Sequence, residues 1–553
     1  MKVRMLQKIV LGGTLAFSPS ISPSTSLAAP PGGGPSSGAD CSGIMDSNVD
    51  YEIHDIQGSG SASPLEGKDV MTCGTVTATT SNGYWIQDTT EDGDRTTSEG
   101  IFVYRSNGPG GIIAGHVVSQ TAKVTEYYGL TELNARREPK VIGSSSMPTP
   151  TEITSSMNYA DLESLEGMLV TVTSATVVAG SNKYNETFVV PGSTTSRVDR
   201  KDTTTPYFKI DDLLDNHITG ASTFDTITGN PTGPFDYNFG AYTLQWDTGS
   251  VSVSDEGHTE NILSADTTTE LTVTTFNVEN YFAVGSEVSP GDSNTTITQE
   301  EFDTKTAKLS LAVRNNLGSP DILTLQEVEK IEVLDALASK ISEDGGPTYT
   351  PYLIEGSDGR GIDVAYLVKE GMDVLGVEQF GKYATTVEDG CGPSGTDLLF
   401  SRPPLVLRIQ TDSGQTISII NNHFKSKGGS DECRNEQASF VADVANNEAA
   451  NGYEIVVTGD LNSFEDEESL NILETNANLT NLIYDIPIEN AFSYIYTGKA
   501  QFLDHMLVSS NLTTQVSSIN SAKLNPDFAI DNETDPSTPL HVSDHDPIRL
   551  SLN

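Results

Sequence analysis

Residues 270–282 read ELTVTTFNVENYF, an apolar strand that turns polar at Asn277. Residues 302–329, FDTKTAKLSLAVRNNLGSPDILTLQEVE, continue as a helix, a turn and a second strand, apolar up to the pair Gln326-Glu327. The pattern recurs in GIDVAYLVK (361–369), LVLRIQT (405–411), TISIINNHFKSK (416–427), EIVVTGDLNSF (454–464), FLDHMLVSS (502–510) and HVSDHDPIRLSLN (541–553). Apolar strands alternating with helical stretches predict a sheet-based α+β unit over 269–553. Polar side chains at the ends of buried strands are held rigidly, which is where a sheet-based site is built.

Upstream the chain changes character. Short apolar runs at 70–76, 84–88, 100–104 and 122–128 are separated by turn residues, so 51–148 is predicted to be an all-β domain the size of a small barrel. Residues 149–268 are again β-rich, with LEGMLVTVTSATVV (165–178) and YTLQW (242–246), and form a second β-rich module or an extension of the first. The acidic loop 88–94 lacks the full ligand spacing of a known calcium loop and reads as a solvated turn.

The chain has 553 residues, room for roughly three to four domains. Its 31 Lys and Arg stand against 77 Asp and Glu, a formal net charge of −46. Such a chain does not attract polyanions through its overall field, so any phosphate chemistry must rest on a local site. Lys2, Arg4 and Lys8, a short apolar run from Ile9 to Phe17 and the small-residue site Ser26-Leu27-Ala28 read as a secretory signal over 1–28, cleaved near Ala28. A Pro- and Gly-rich linker follows over 29–50. The protein is therefore expected to be secreted, without a membrane anchor. An even count of cysteines in a secreted chain suggests two disulfides, and the two well-separated pairs suggest Cys41–Cys73 and Cys391–Cys433.

The tags FNVEN, LQEVE, GIDVAYL, NNHFKSK, GDLNSF, LDHMLVS and SDHDP, in this order over 271–553, resemble the endonuclease/exonuclease/phosphatase superfamily, and within it the secreted bacterial nucleases. The resemblance implies a DNase I-like four-layer α/β/β/α sandwich. The segment GKDVMTCGTVTATTSNGYWIQD with GIFVY and VTEYYGLTEL resembles the OB-fold modules that precede some of these nucleases. In such a barrel Trp85, Phe102, Tyr104 and Arg105 are candidates for stacking on bases, with burial in the barrel core as the competing reading.

Phosphodiester cleavage needs a divalent cation, a base for water, help for the leaving oxygen and donors to the phosphate. Hard oxygen ligands select Mg²⁺, with Mn²⁺ or Ca²⁺ as alternatives. The resemblance assigns Asn277, Glu327 and Asp544, with Gln326 nearby, to the metal. It assigns Asn462 to the scissile phosphate, and Asp460 to the nucleophile or a second metal position. His545 resembles the catalytic histidine, oriented by Asp504, and His423 a second histidine, whose acidic partner aligns with Asp363. Which is base and which is acid stays open. Arg402 resembles a phosphate-contacting arginine, with a surface ion pair as the competing reading. Lys425, Lys427 and Arg434 form a small basic island suited to tracking a phosphate backbone, and Lys499 is a further candidate. Asp546, His505 and His541 read as structural.

The expected substrate is extracellular DNA, with RNA as a further candidate, and no obligate protein partner is implied. A phosphoesterase acting on lipid headgroups or inositol phosphates shares the GIDVAYL and RPPL motifs. A non-catalytic nucleic-acid-binding protein would lack a motif residue, and none is missing.

Overall fold

The computed structural model describes residues 50–89, 92–212, 218–263 and 271–553. The signal segment 1–28, the linker through residue 49 and Cys41 lie outside the described residues.

The C-terminal part is a sheet-rich α+β fold built on two six-stranded sheets. One centres on Leu271–Tyr281, Ile322–Val328, Asp363–Lys369 and Ile548–Leu552, the other on Leu405–Gln410, Thr416–His423, Glu454–Asp460 and Asp504–Ser509. Strand alternation sorts the side chains between layers. On Asp363–Lys369, Val364, Tyr366 and Val368 enter a core shared with Leu405, Leu407, Ile417, Ile419, Val456 and Met506 of the other sheet. Ala365 and Leu367 point the opposite way, toward Leu309, Leu334, Leu337 and Ile341 of helices Gln299–Leu311 and Ile331–Glu343. The second sheet does the same: Ile420, Ile455, Val457 and Leu507 pack against Ala438, Val441 and Leu470 of helices Asp431–Ala450 and Glu468–Asn476. The first of these helices begins at a capping box between Thr298 and Glu301, which satisfies two otherwise orphaned donors.

Polar groups cross the inter-sheet core and lock the sheets in register. Tyr366 donates to the Leu405 and Ile419 carbonyls at 2.6 and 2.8 Å. Asn421 donates to the Leu325 and Ala365 carbonyls at 3.0 and 2.9 Å. Fully satisfied buried networks of this kind specify a single arrangement. The Cys391–Cys433 disulfide is formed and ties the loop over 380–397 to the N-terminus of the Asp431–Ala450 helix. Cys73 is disulfide-bonded, and its expected partner Cys41 lies outside the described residues.

The N-terminal unit closes on itself. Strands Asp69–Thr80, Gly83–Gln87, Gly100–Tyr104, Leu130–Asn134 and His116–Tyr127 pair in that order, and the last pairs back to the first. Trp85 and Phe102 are buried against each other, ring centres 4.8 Å apart, and Arg105 is buried and paired with Glu138 at 2.7 Å. The reading of Trp85 and Phe102 as barrel core, with Tyr104 half-buried against them, is the one the structure shows, and Arg105 is taken up by its ion pair.

A nine-stranded sheet occupies the middle of the chain. Gly100 of the barrel and Gly167 of this sheet touch backbone to backbone, leaving no room for a β-carbon at either. The middle unit is also bound to the C-terminal part. Val198–Asp199 pairs in parallel with Lys499–Gln501, Gly180 lies against the Phe528 backbone, and Arg197 forms an ion pair with the fully buried Asp527. No helix among the described residues is long and apolar enough to cross a membrane.

Candidate active site

Sheet register assembles the site. His423 ends Thr416–His423 directly opposite Asp460 at the end of Glu454–Asp460, and Asp460 lies opposite Asp504, the first residue of Asp504–Ser509. Side chains opposite one another in a ladder share a face, so three chemically active groups stand side by side at one sheet end. Gly459 makes this possible: its φ is +127°, and a β-carbon would fall 2.0 Å from the Asn422 carbonyl oxygen.

The other sheet delivers its residues through distortions. Pairing slips between Gln326 and Val328, so Glu327 is extruded as a bulge with φ +64°. At the same level the neighbouring strand slips between Asn277 and Tyr281, with Glu279 and Asn280 at φ +47° and +50°. Left-handed backbone at non-glycine residues is uncommon and clusters at functional sites. The two distortions support each other: Asn280 N–H donates to Glu327 Oε2 at 3.0 Å, and Glu279 N–H to Asn277 Oδ1 at 3.0 Å.

His545 arrives on the loop before the last strand. Asn525 holds this loop by accepting from Val542 and Ser543 N–H at 3.0 and 3.1 Å and donating to the His545 carbonyl. Asp546 accepts from Leu524 and Asn525 N–H at 3.0 Å each, a bracing role. His545 Nδ1 then lies 2.7 Å from Asp504 Oδ2, while its Nε2 lies 3.9 Å from Asp460 and 3.9 Å from Asp544. Burial works against a charged imidazole, but Asp504 and Asp460 outweigh it and hold His545 well above its ordinary value.

His423 is in the opposite state. It is buried, and its Nε2 is 3.4 Å from Asp460 and 4.0 Å from Glu327. Burial, with Arg402, His545 and Arg360 nearby, pushes it well below the ordinary histidine value. Its expected partner Asp363 does not pair with it. Asp363 Oδ1 instead accepts from Gly356 N–H at 2.7 Å, and His423 Nδ1 has no hydrogen-bond partner. The sheet register explains the correction, since it is Asp460 that lies across from His423.

Asp460 sits at the centre. It accepts from Asn277 Nδ2 at 3.1 Å and from Asn462 backbone and side-chain N–H at 2.9 and 3.2 Å. Burial, with Asp504 and Glu327 adding like charge, pushes its carboxyl up to about 7. Asp544 also rises to about 7, through burial and the charges of Glu279 and Glu327, although 43% of its side chain reaches solvent. Asp504 Oδ1 is buried without a hydrogen-bond partner. Carboxylates gathered and desolvated in this way fit a hard divalent cation, which would bring them back to their charged form. Asp460, Asp504 and His545 bring ligand atoms within 4.8 Å of one another; with the imidazole bound to Asp504, the carboxylates are the groups left for a hard cation. Asn277, Glu327 and Asp544 edge the same space.

Other expected residues are otherwise occupied. Gln326 is fully buried and donates to Asn421 Oδ1 at 2.7 Å, inside the inter-sheet network. Arg402 pairs with Asp358 at 3.0 Å and donates to the His423 and Phe424 carbonyls at 3.4 and 2.8 Å, an ion pair as in the competing reading but buried rather than at the surface. Lys427 pairs with Glu467 over the Phe464 ring. Arg434 is buried and ties the 425–429 loop to Asp431, and Lys499 donates to the Asp202 carbonyl at 3.1 Å. The basic island is thus mostly internal, leaving Lys425, whose ammonium burial and Arg402 push down, beside Arg402. His505 is bound to Ser463 and Asn481, and His541 to the Phe528 carbonyl.

Three further residues contribute to the site. Arg360 donates to Asn280 Oδ1 at 3.1 Å, on the bulge that carries the site. Tyr494 places its ring 4.7 Å from that of His545 and bridges to its backbone. Lys183, an exposed residue of the middle unit, is held above its ordinary value, against partial desolvation, by Glu279, Tyr184 and Asp544. The GR dipeptide before the IDVAYL strand could have marked Arg360. Nothing local marks Lys183, because its neighbours are brought from the far end of the chain.

Residues 154–255 match a domain of unknown function (DUF8508). No curated protein matches the chain by sequence. Solved structures similar to it include an endonuclease/exonuclease/phosphatase from Bacteroides vulgatus (16% identity, 51% of this chain and 98% of that chain, TM-score 0.36). Truncated TDP2 from Caenorhabditis elegans is similar at 18% identity, 51% and 96% coverage and TM-score 0.36. The catalytic domain of human Nocturnin is similar at 16%, 51% and 94%, and 0.35. Residues 272–528 match the model of the Endonuclease/Exonuclease/phosphatase family.

Proposed function

We propose that the protein is a divalent-metal-dependent nuclease that hydrolyses phosphodiester bonds of extracellular DNA. The observation that carries the reading is the row His423–Asp460–Asp504 with His545 docked on Asp504 at 2.7 Å. Two histidines whose surroundings push them in opposite directions flank one carboxylate, an arrangement suited to a proton acceptor and a proton donor within one site. His423, kept neutral, accepts a proton at Nε2; His545, kept charged between Asp504 and Asp460, donates from Nε2. Asn277 and Asn462 orient Asp460 by donating to its carboxylate. Glu327, Asp544 and Asn277 would hold a divalent ion, for which their oxygen ligands favour Mg²⁺, and such an ion would neutralise charge on the phosphate.

The core between the sheets and the helices on both outer faces support a four-layer α/β/β/α sandwich. The five-strand circuit supports an OB-fold for 51–148. Secretion rests on the signal-like segment and the disulfides. Lys183 and the exposed Tyr184, held at the site by the Gly180–Phe528 contact, provide a cation and a ring for a strand of nucleic acid.

The test is nicking of closed circular plasmid by the purified protein in Mg²⁺, against chelator and a His545→Ala variant. Cleavage that needs both metal and His545 supports the reading. Inactivity on plasmid, linear DNA and RNA, with turnover of a lipid or inositol phosphate, removes it.

A further inference from the structure

A second polar cluster lies in the N-terminal barrel. His54 is carried by the short helix Ile53–Gln57, and Asp92 and Glu99 by the loop joining strands Gly83–Gln87 and Gly100–Tyr104. His54 Nδ1 stands 3.6 Å from Glu99 Oε2 and 3.8 Å from Asp92 Oδ2. Only 6% of the Glu99 side chain is exposed. Its Oε1 accepts from Asp92 N–H at 3.0 Å, but its Oε2 is buried without a hydrogen-bond partner. His54 Nδ1 is likewise buried and has none.

These separations are too long for hydrogen bonds. They approach the distance between ligand atoms around a small ion, roughly 3.4 Å for a tetrahedron with bonds of about 2.1 Å. A buried carboxylate oxygen and a buried imidazole nitrogen turned toward each other, neither hydrogen-bonded, leave a gap that a cation satisfies and that packing alone does not.

We infer that His54, Asp92 and Glu99 form a metal site of their own, separate from the catalytic cluster, for a divalent transition ion of the zinc class. The imidazole ligand sets the class: Ca²⁺ and Mg²⁺ take oxygen ligands, whereas a His/carboxylate set suits zinc and its neighbours. Asp92, 24% exposed, lies at the open side, where a water would complete the coordination. The ion would pin the Ile53–Gln57 helix, the first described element, onto the barrel loop. It would thereby give the acidic loop over 88–99 a role that its sequence spacing does not reveal.

The experiment uses the full chain, freed of metal by chelation and dialysed against zinc in excess Mg²⁺, which occupies oxygen-only sites. Bound zinc is counted by mass spectrometry for wild type, Glu99→Gln and His54→Ala, with circular dichroism confirming folding. Wild type should retain one zinc more than either variant. Co²⁺ should give a visible ligand-field spectrum in wild type that both variants lose. Equal zinc in all three, or a cobalt spectrum unchanged by the substitutions, overturns the site. Should Glu99→Gln not fold, Asp92→Asn, on the exposed side, carries the same comparison.

Discussion

Asp504 Oδ2 lies 2.7 Å from His545 Nδ1, and this contact, with the charge of Asp460, holds the imidazole above its ordinary value against burial. Replacing Asp504 by Asn keeps the shape and removes the charge. The apparent pKa of His545, followed by NMR titration, should fall. The turnover number should drop ~10²–10⁴-fold, the range for loss of an acid–base group.

Under the proposed function His423 and His545 act on one phosphate, so their losses should not add. Each alanine variant should lower turnover ~10²–10⁴-fold, and the double variant scarcely more than the worse single one. Single-turnover kinetics on a defined oligonucleotide would read this; additive losses would show that the two histidines act independently.

The Asp460 carboxyl is pushed up to about 7, from an ordinary 3.8, by burial first and neighbouring acids second. Between those values the folded chain keeps a proton that the unfolded chain has released. Stability of the metal-free protein should therefore fall as pH rises across that window. Divalent cation should raise the melting temperature more at pH 8 than at pH 5. Asp460→Asn should flatten the pH dependence in thermal melts.

Burial alone would raise the Asp527 carboxyl, but Arg197 and His258 hold it well below the usual range. A depressed carboxyl stabilises the fold above its unfolded value, and that contribution is lost as pH falls below it. Arg197→Ala leaves Asp527 buried without its main partner and should cost about 3–5 kcal/mol. Urea titrations at neutral pH would measure the loss. The variant should also be less sensitive to acid than wild type.

Lys183 faces Glu279 and Asp544 from another unit of the chain. Lys183→Ala should weaken DNA binding and reduce the slope of log affinity against log salt by about 0.7–0.9, the value for one phosphate contact. It should leave the single-turnover rate at saturating DNA largely intact. An unchanged salt slope would place Lys183 outside the substrate path.

Much of the C-terminal fold was legible from residue order. Val364, Tyr366 and Val368 face one layer and Ala365 and Leu367 the other, as strand alternation requires. Glu327 was marked by position, a carboxylate at the end of an apolar strand. That it leaves the strand as a left-handed bulge was not, because a bulge depends on how two strands slip past each other. Trp85 and Phe102 show the reverse difficulty: a stacking ring and a packing ring have the same composition, and only their neighbours tell them apart.

Residue order alone marks which chemistry is present and roughly where along the chain: the strands, their polar ends and the histidines with acids close by. Periodicity and residue type are local properties, and they survive without knowledge of the fold. Only the tertiary structure decided who faces whom. His423 meets Asp460 rather than Asp363 because the parallel register of two strands puts them opposite. Arg434 and Lys427 turn inward to a helix and a ring, and Lys183 reaches the site from more than three hundred residues away from His545 in sequence. In a chain with 77 acidic residues every cation has many suitable partners by type. Geometry, acting through short-range contacts, is what selects among them.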